Sequence, residues 1–213
     1  MSEIDFLIDG PAEAPTLLLA HGAGAGMNTP FMQAIAEGVA KRGLRCVRFE
    51  FAYMAQRRQG GSKRPPPKVE KLQEEYRSVI AQLATQGPLF IGGKSMGGRV
   101  ASLIAEDLYQ AGQLQGLICL GYPFHPSGKP EKLRTAHLAD LQTPTLICQG
   151  SRDAFGTAEE VVGYDLSSNI QIQWLEDGNH DLKPRQRISG FTHTAHLETT
   201  AAAIAAWVEG QLR

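Results

Sequence analysis

The sequence predicts an α/β fold, a doubly wound, mostly parallel sheet of roughly seven strands flanked by helices. Two observations carry this reading. Short apolar runs recur along the chain, and most are continuous rather than alternating, as in Leu17-Leu18-Leu19 and Leu146-Ile147-Cys148. Continuous runs suit parallel strands buried on both faces. Between the runs lie longer stretches whose apolar residues return at helical spacing.

The elements follow in order. Ile4–Ile8 reads as an opening strand that stops at the turn signal Asp9-Gly10, and it is expected at an edge. Thr16–Ala20 is the first buried strand. Phe31–Lys41 repeats Phe31, Ile35 and Val39 on one helical face. Leu44–Phe51 is the next strand. Gln56–Lys68, with Arg57, Arg58, Lys63, Arg64 and Pro65-Pro66-Pro67, reads as a long surface loop. Val69–Thr85 places Leu72, Tyr76, Val79, Ile80 and Leu83 on one stripe of a helix. Strands at Leu89–Gly92, Leu117–Gly121, Thr145–Gly150 and Ile170–Leu175 then alternate with helices at Ser95–Tyr109 and Ala158–Leu166. An alanine-rich helix, Ala195–Leu212, closes the chain.

Bulk properties narrow the functional classes. A chain of 213 residues, 42% of them apolar, suffices for one sizeable core, so residues 1–213 are expected to form a single domain. With 21 basic and 22 acidic groups, no global field favours nucleic acid or an anionic membrane. Cys46, Cys119 and Cys148 sit in apolar runs at spacings that fit no zinc or redox motif, and read as buried thiols in a reducing compartment. The start Met1-Ser2-Glu3-Ile4-Asp5 lacks the basic and apolar segments of a secretion signal, and no apolar run approaches membrane-spanning length. The expectation is a soluble cytoplasmic protein that meets neither nucleic acid nor membrane; its oligomeric state is not legible.

The strongest local signal is Gly93-Lys94-Ser95-Met96-Gly97-Gly98, between a strand and a helical run. That context is what a G-x-S-x-G nucleophile turn requires. The chain must reverse sharply with the serine in a strained conformation, and small residues two before and two after prevent clashes. Ser95 then stands at the carboxyl edge of the sheet, where α/β sites form. The helix that starts behind it favours negative charge, so the Met96 N–H is a candidate oxyanion donor. A phosphate-binding P-loop is the poorer reading, because its Gly-Lys-Ser/Thr ending is missing.

The strand Thr16–Ala20 runs into His21-Gly22-Ala23-Gly24-Ala25-Gly26. Small residues there let backbone approach a substrate carbonyl. Ala23 is the candidate second oxyanion donor, with Gly22 and Gly24 its neighbours along the substrate path. The glycine spacing does not match a dinucleotide loop. His21 itself reads as structural.

A serine hydroxyl needs a general base, and the base needs an acid to orient it. In the chain order serine, acid, histidine, His180 is the candidate base, because it lies in a loop directly after the strand Ile170–Leu175. Asp153 is the candidate acid. It follows the strand Thr145–Gly150, at the same sheet edge. Asp177 and Asp181 are too near His180 in sequence to orient it and read as turn or cap residues. Asp140 precedes its strand and lies at the wrong edge.

Together these segments resemble the α/β-hydrolase superfamily over nearly the whole chain. Within it they resemble small bacterial hydrolases of a dienelactone-hydrolase-like group. The stretches that carry the likeness are His21-Gly22-Ala23-Gly24, Gly93-Lys94-Ser95-Met96-Gly97-Gly98-Arg99, Tyr122-Pro123-Phe124-His125-Pro126, Gln149-Gly150-Ser151-Arg152-Asp153 and Asn179-His180-Asp181-Leu182-Lys183-Pro184. The resemblance implies a triad of Ser95, Asp153 and His180. Dienelactone hydrolases use cysteine as nucleophile; the serine here means that their specificity does not carry over.

The segment Gly121–Gln142 is short and holds three prolines, so a minimal cap or none is expected. The site should be open, partly covered by Tyr122–Lys132 and the basic loop, with Lys94 and Tyr122 as further substrate contacts. Arg57, Arg58 and Arg64 of the loop, and Lys94 and Arg99 beside the serine, raise the idea of an anionic substrate, although the plainer reading is solvated surface charge. The expected function is that of a serine hydrolase cleaving a small carboxylic ester or thioester, with no metal or organic cofactor. The same triad serves peptide or amide cleavage, and a hydrolase-fold protein that binds without catalysis would share the pattern.

Overall fold

The computed structural model describes residues 4–85 and 87–213; Met1–Glu3, part of the leaderless N-terminal reading, lie outside the described residues. Seven strands form one sheet: β1 (Phe6–Asp9), β2 (Thr16–Ala20), β3 (Arg45–Phe49), β4 (Leu89–Lys94), β5 (Gly116–Leu120), β6 (Thr145–Gly150) and β7 (Ile170–Leu175). Their order is β1-β3-β2-β4-β5-β6-β7. Only β1 is antiparallel, at the edge beside β3, and every other pair is parallel.

The continuous apolar runs are explained by burial on both faces. In β2, Leu17 and Leu19 face one core together with Met32, Ile35 and Val39 of α1 (Pro30–Ala40) and Ala201, Ile204 and Val208 of α7 (His193–Gln211). Leu18 and Ala20 face the other core, built on Leu72, Tyr76 and Val79 of α3 (Val69–Gln82) and Val100, Ala101 and Ile104 of α4 (Met96–Gln110). Trp207 is a core contact, edge-on to Phe90 at 5.9 Å.

From β2 the chain moves outward to β3 in one direction and, at β4, resumes in the other. The loops after β2 and β4 therefore diverge and leave a crevice at the carboxyl edge, where ligands of open α/β sheets bind. Tyr76 ties the helix layer to these two strands. Its hydroxyl lies 2.9 Å from Leu18 O and 2.8 Å from Gly92 O, and accepts from Gly92 N–H at 3.1 Å. His21 anchors the loop after β2. Its Nε2 accepts from Phe51 N–H at 3.1 Å, so the ring proton sits on Nδ1 and is donated to Gly22 O at 2.6 Å. Both ring nitrogens are thus committed to backbone, as the structural reading of His21 expects.

Three local expectations are revised. A helix, α2 (Ala52–Arg58), takes in Gln56, Arg57 and Arg58, and the irregular basic segment begins only at Gln59. The prolines that exclude helix lie further on, from Pro65. The helix expected over Ala158–Leu166 is the short α5 (Ala158–Val161): Thr157 and Glu160 form a capping box that starts it, but Gly163 follows within a turn. A further short helix, α6 (Gln186–Ser189), was hidden in a polar run. Between β5 and β6 the chain forms one 3-10 turn, Ala136–Leu138, and no helical cap. No helix among the described residues is long and apolar enough to cross a membrane.

Replacing Tyr76 by Phe removes the buried hydroxyl that bridges the backbone of β2 and β4. Denaturant titration is expected to show a loss of about 1–3 kcal/mol. Burial lowers the pKa of His21 below its usual 6.5, and that of His137 to about 4. The unfolded chain then binds more protons than the folded one below about pH 6.5. The stability tied to these neutral imidazoles is complete above that pH and drains away as the pH falls toward 4. The same titrations at pH 7.5 and 5 should show the drop, and His21→Gln should reduce it, leaving the His137 part.

Candidate active site

The turn after β4 sets the geometry. Ser95 has φ 51° and ψ −114°, a conformation that a residue with a side chain adopts only under constraint. The constraint is close backbone contact. A Cβ on Gly93 would lie 2.5 Å from Ala20 O, and one on Gly97 would lie 2.6 Å from both Ala20 O and His21 O. Any larger residue at either position would push the turn away from β2. The Ser95 N–H is held by Leu120 O of β5 at 2.9 Å.

His180 and Asp153 come to the same edge from the loops after β7 and β6. His180 Nε2 lies 2.8 Å from Ser95 Oγ, and His180 Nδ1 lies 2.8 Å from Asp153 Oδ2. Asp153 is fully buried. Its Oδ1 accepts from Phe155 N–H at 2.9 Å, and its Oδ2 also accepts from Gln149 Nε2 at 3.0 Å. The carboxylate has one position in which all these bonds close. Because the carboxylate accepts from Nδ1–H, the neutral imidazole presents a bare Nε2 to the serine hydroxyl. The Phe155 ring packs against the imidazole at a tilt, with centroids 4.3 Å apart.

The loop that carries His180 is braced from three sides. Lys94 donates to His180 O at 2.6 Å and pairs with Asp181 at 3.2 Å. Burial pulls the pKa of Lys94 down, against the opposing charge of Asp181. Asp177, with φ 53°, is gripped by Arg185 and by Arg152, at 3.2 Å, and its carboxyl group lies well below the usual range, chiefly through the Arg185 hydrogen bonds. From α7, His193 Nε2 meets Asp181 O and His196 Nδ1 meets Leu182 O, each at 2.8 Å. Gly121 completes the fit. It has φ 63°, and a Cβ there would lie 2.8 Å from His180 O.

A cleft of about 500 Å³ opens on Ser95 and His180. Gly22, Ala23 and Gly24 form one wall, Pro30 and Phe31 at the start of α1 another, and Lys94, Lys183 and His193 complete the rim. Gly22 faces the serine, since a Cβ on it would come within 3.8 Å of Ser95 Cβ. The Ala23 carbonyl accepts from Tyr53 OH at 3.0 Å and the Gly24 carbonyl from Arg57 at 3.1 Å, which fixes these peptide planes. Among the described residues, neither Met96 N–H nor Ala23 N–H donates to a protein acceptor. Among the same residues, no group of three or more His, Cys, Asp or Glu converges as metal ligands.

Three site expectations need correction. Tyr122 is fully buried, edge-on to Phe124, with its hydroxyl on Arg134 O at 3.0 Å; it cannot touch substrate. Neither Tyr122–Lys132 nor Gln56–Lys68 lines the cleft; the cover comes from α1 and the Lys183–His193 stretch. The anion idea fails for most of its cations. Arg57 holds Gly24, Arg58 is paired with Glu50 and Asp5 at 2.7 Å each, and Lys94 is committed to the His180 loop. Gln149, Phe155 and Gly121 were missed as supports. Their role depends on which strand ends become neighbours, and Gly121 alone carried a local cue, a glycine closing a strand.

Solved structures with the same fold include an alpha-beta serine hydrolase homologue from Coxiella burnetii, with TM-score 0.71 and 18% identity over 95% of this chain and 90% of that one. A lidless serine hydrolase from Xanthomonas campestris matches at 0.68 and 18%, over 96% and 89%. Dienelactone hydrolase from Anabaena variabilis matches at 0.70 and 16%, over 97% and 91%. At these identities the likeness is one of fold. An alpha/beta hydrolase domain family matches residues 13–209. With the seven-stranded sheet and the strained serine turn, that match makes the chain a member of the alpha/beta hydrolase domain family.

Proposed function

We propose that the chain is a serine hydrolase that cleaves a small carboxylic ester or thioester through an acyl-enzyme. The observation that carries this reading is the unbroken line of contacts from Ser95 Oγ through the His180 ring to Asp153, 2.8 Å at each step. His180 takes the Ser95 proton as Oγ attacks the substrate carbonyl, and Asp153 holds the imidazole in the required tautomer and stabilises its protonated form. The tetrahedral oxyanion is received by the N–H groups of Met96 and Ala23, each such donor being typically worth about 3 kcal/mol in the transition state. His180 then passes the proton to the leaving alkoxide or thiolate. Water, activated by the same imidazole, releases the acid and restores Ser95. No step calls for a metal or an organic cofactor.

The cleft volume suits a small substrate. Gly22 and Gly24 give the acyl group backbone to lie against, and the Phe31 ring offers an apolar wall under Lys94, whose Nζ is 5.3 Å from its centroid.

Turnover of p-nitrophenyl acetate is expected to fall by at least about 10³-fold in Ser95→Ala. A fluorophosphonate probe should label wild-type Ser95 and leave that variant blank. Undiminished turnover in Ser95→Ala would remove the residue from the mechanism. Asp153→Asn keeps the shape but favours the wrong imidazole tautomer. Its kcat should drop by about 10³–10⁴, with a much smaller change in KM.

A further inference from the structure

The loop after β6 does more at the active site than deliver Asp153. Two residues on, Phe155 donates its N–H to Asp153 Oδ1 at 2.9 Å, and its carbonyl accepts from His125 N–H at 3.2 Å. The next residue is held as well. Gly156 N–H donates to Asp153 O at 3.1 Å, and Gly156 O accepts from Gln149 Nε2 at 3.2 Å. Gly156 has φ 146°, and a Cβ there would lie 2.6 Å from Phe124 Cδ2. The backbone of Phe155 is thus fixed on both sides, and its ring is carried to the imidazole of His180.

The two ring centroids are 4.3 Å apart, with planes inclined at 39°. Among the described residues, the edge-on aromatic pairs stand 4.9 Å or more apart. The smaller spacing and inclination mean that Phe155 turns its π face, not its edge, toward His180. That face is the negative side of the ring, and it attracts a cation within about 6 Å of the centroid. While the imidazole is neutral the attraction is weak. It becomes a cation–π contact once the imidazole takes the Ser95 proton. The contact therefore strengthens between ground state and transition state, the property that raises kcat rather than lowers KM. Asp153 meets the same cation at Nδ1, in the plane of the imidazole, and Phe155 meets it from the face. Phe155 does not line the cleft, so it acts through His180 and not on the substrate.

We propose that Phe155 is a positioning residue whose ring face stabilises the protonated form of His180, the form through which acyl transfer passes. This role rests on His180 being the base of the proposed hydrolysis. Other charged and titratable groups stand about that imidazole: Asp153 from the loop after β6, Lys94 from the end of β4, Asp181 and Lys183 from its own loop, and His193 from α7. Behind the loop, Asp177 pairs with Arg152 and Arg185. Removing the Phe155 side chain would disturb the packing of these groups. Fluorinating its ring leaves the shape nearly unchanged and drains the negative face step by step.

The test places mono-, di- and trifluorophenylalanine at position 155 of the full chain by nonsense suppression, with thermal unfolding as the check on folding. On the alkaline plateau, kcat for p-nitrophenyl acetate should fall with each added fluorine, by roughly 2–30-fold over the series, with KM nearly unchanged. NMR titration of the His180 ring is the readout that needs no turnover, its signal assigned by its absence from His180→Gln. The midpoint of that titration should move down in pH in the same order, because a poorer π face stabilises the cation less. Phe155→Leu should show both effects; should it fail to fold, the nearly isosteric fluorinated series decides. A midpoint that stays level across the series overturns the proposal, and so does a level kcat in a chain that turns the ester over. If the chain with unmodified Phe155 hydrolyses no ester, the hydrolytic reading fails by itself. The NMR series then decides alone whether the ring stabilises the cation.

Discussion

The site rests on one contact: the backbone of the β4–α4 turn lies directly against the end of β2. Gly93 and Gly97 make that approach feasible, and it holds Ser95 at positive φ. The same approach places the glycine loop after β2 beside the serine, because β2 and β4 are neighbours whose following loops diverge. A side chain at either glycine would open the crevice and release the serine from its strained turn together. Strain at Ser95 is thus sustained by the sheet packing around it rather than by anything local.

Around that fixed point, the imidazole is placed by a chain of buried polar contacts. Gln149 and the Phe155 N–H fix Asp153, Asp153 and Phe155 fix the ring, and Lys94 and Gly121 fix the backbone that bears it. Lys94 is adjacent to Ser95 in sequence and reaches the His180 loop through space, so a single residue links the two halves of the site. Most of the cations near the serine act as braces of this kind. Arg57 holds the glycine loop, and Arg152 and Arg185 hold Asp177.

Much of this was legible in the sequence. The strands announced themselves because parallel strands buried on both faces need unbroken apolar runs, and the bounds of β6 coincide with such a run; β7, at the sheet edge, alternates apolar and polar residues instead. Ser95, Asp153 and His180 could be chosen because a parallel sheet sends every strand's carboxyl end to one edge, so a residue just after a strand has a known destination. Elements driven by capping or by partners elsewhere were harder to see. α5 ended early at Gly163, α2 reached into a segment whose prolines lie downstream, and α6 has no apolar stripe.

By itself, the order of residues determined the strand and helix alternation, the glycine-flanked serine and the order serine, acid, histidine. These depend on periodicity and local backbone sterics, which travel with the sequence. Only the tertiary structure decided that Tyr122 turns inward, that the cover over the cleft comes from α1 and the Lys183–His193 stretch, and which cations find acids. Those outcomes depend on distances between segments tens of residues apart. They are set once the sheet order brings particular loops together, and nothing in the spacing of residues along the chain encodes them.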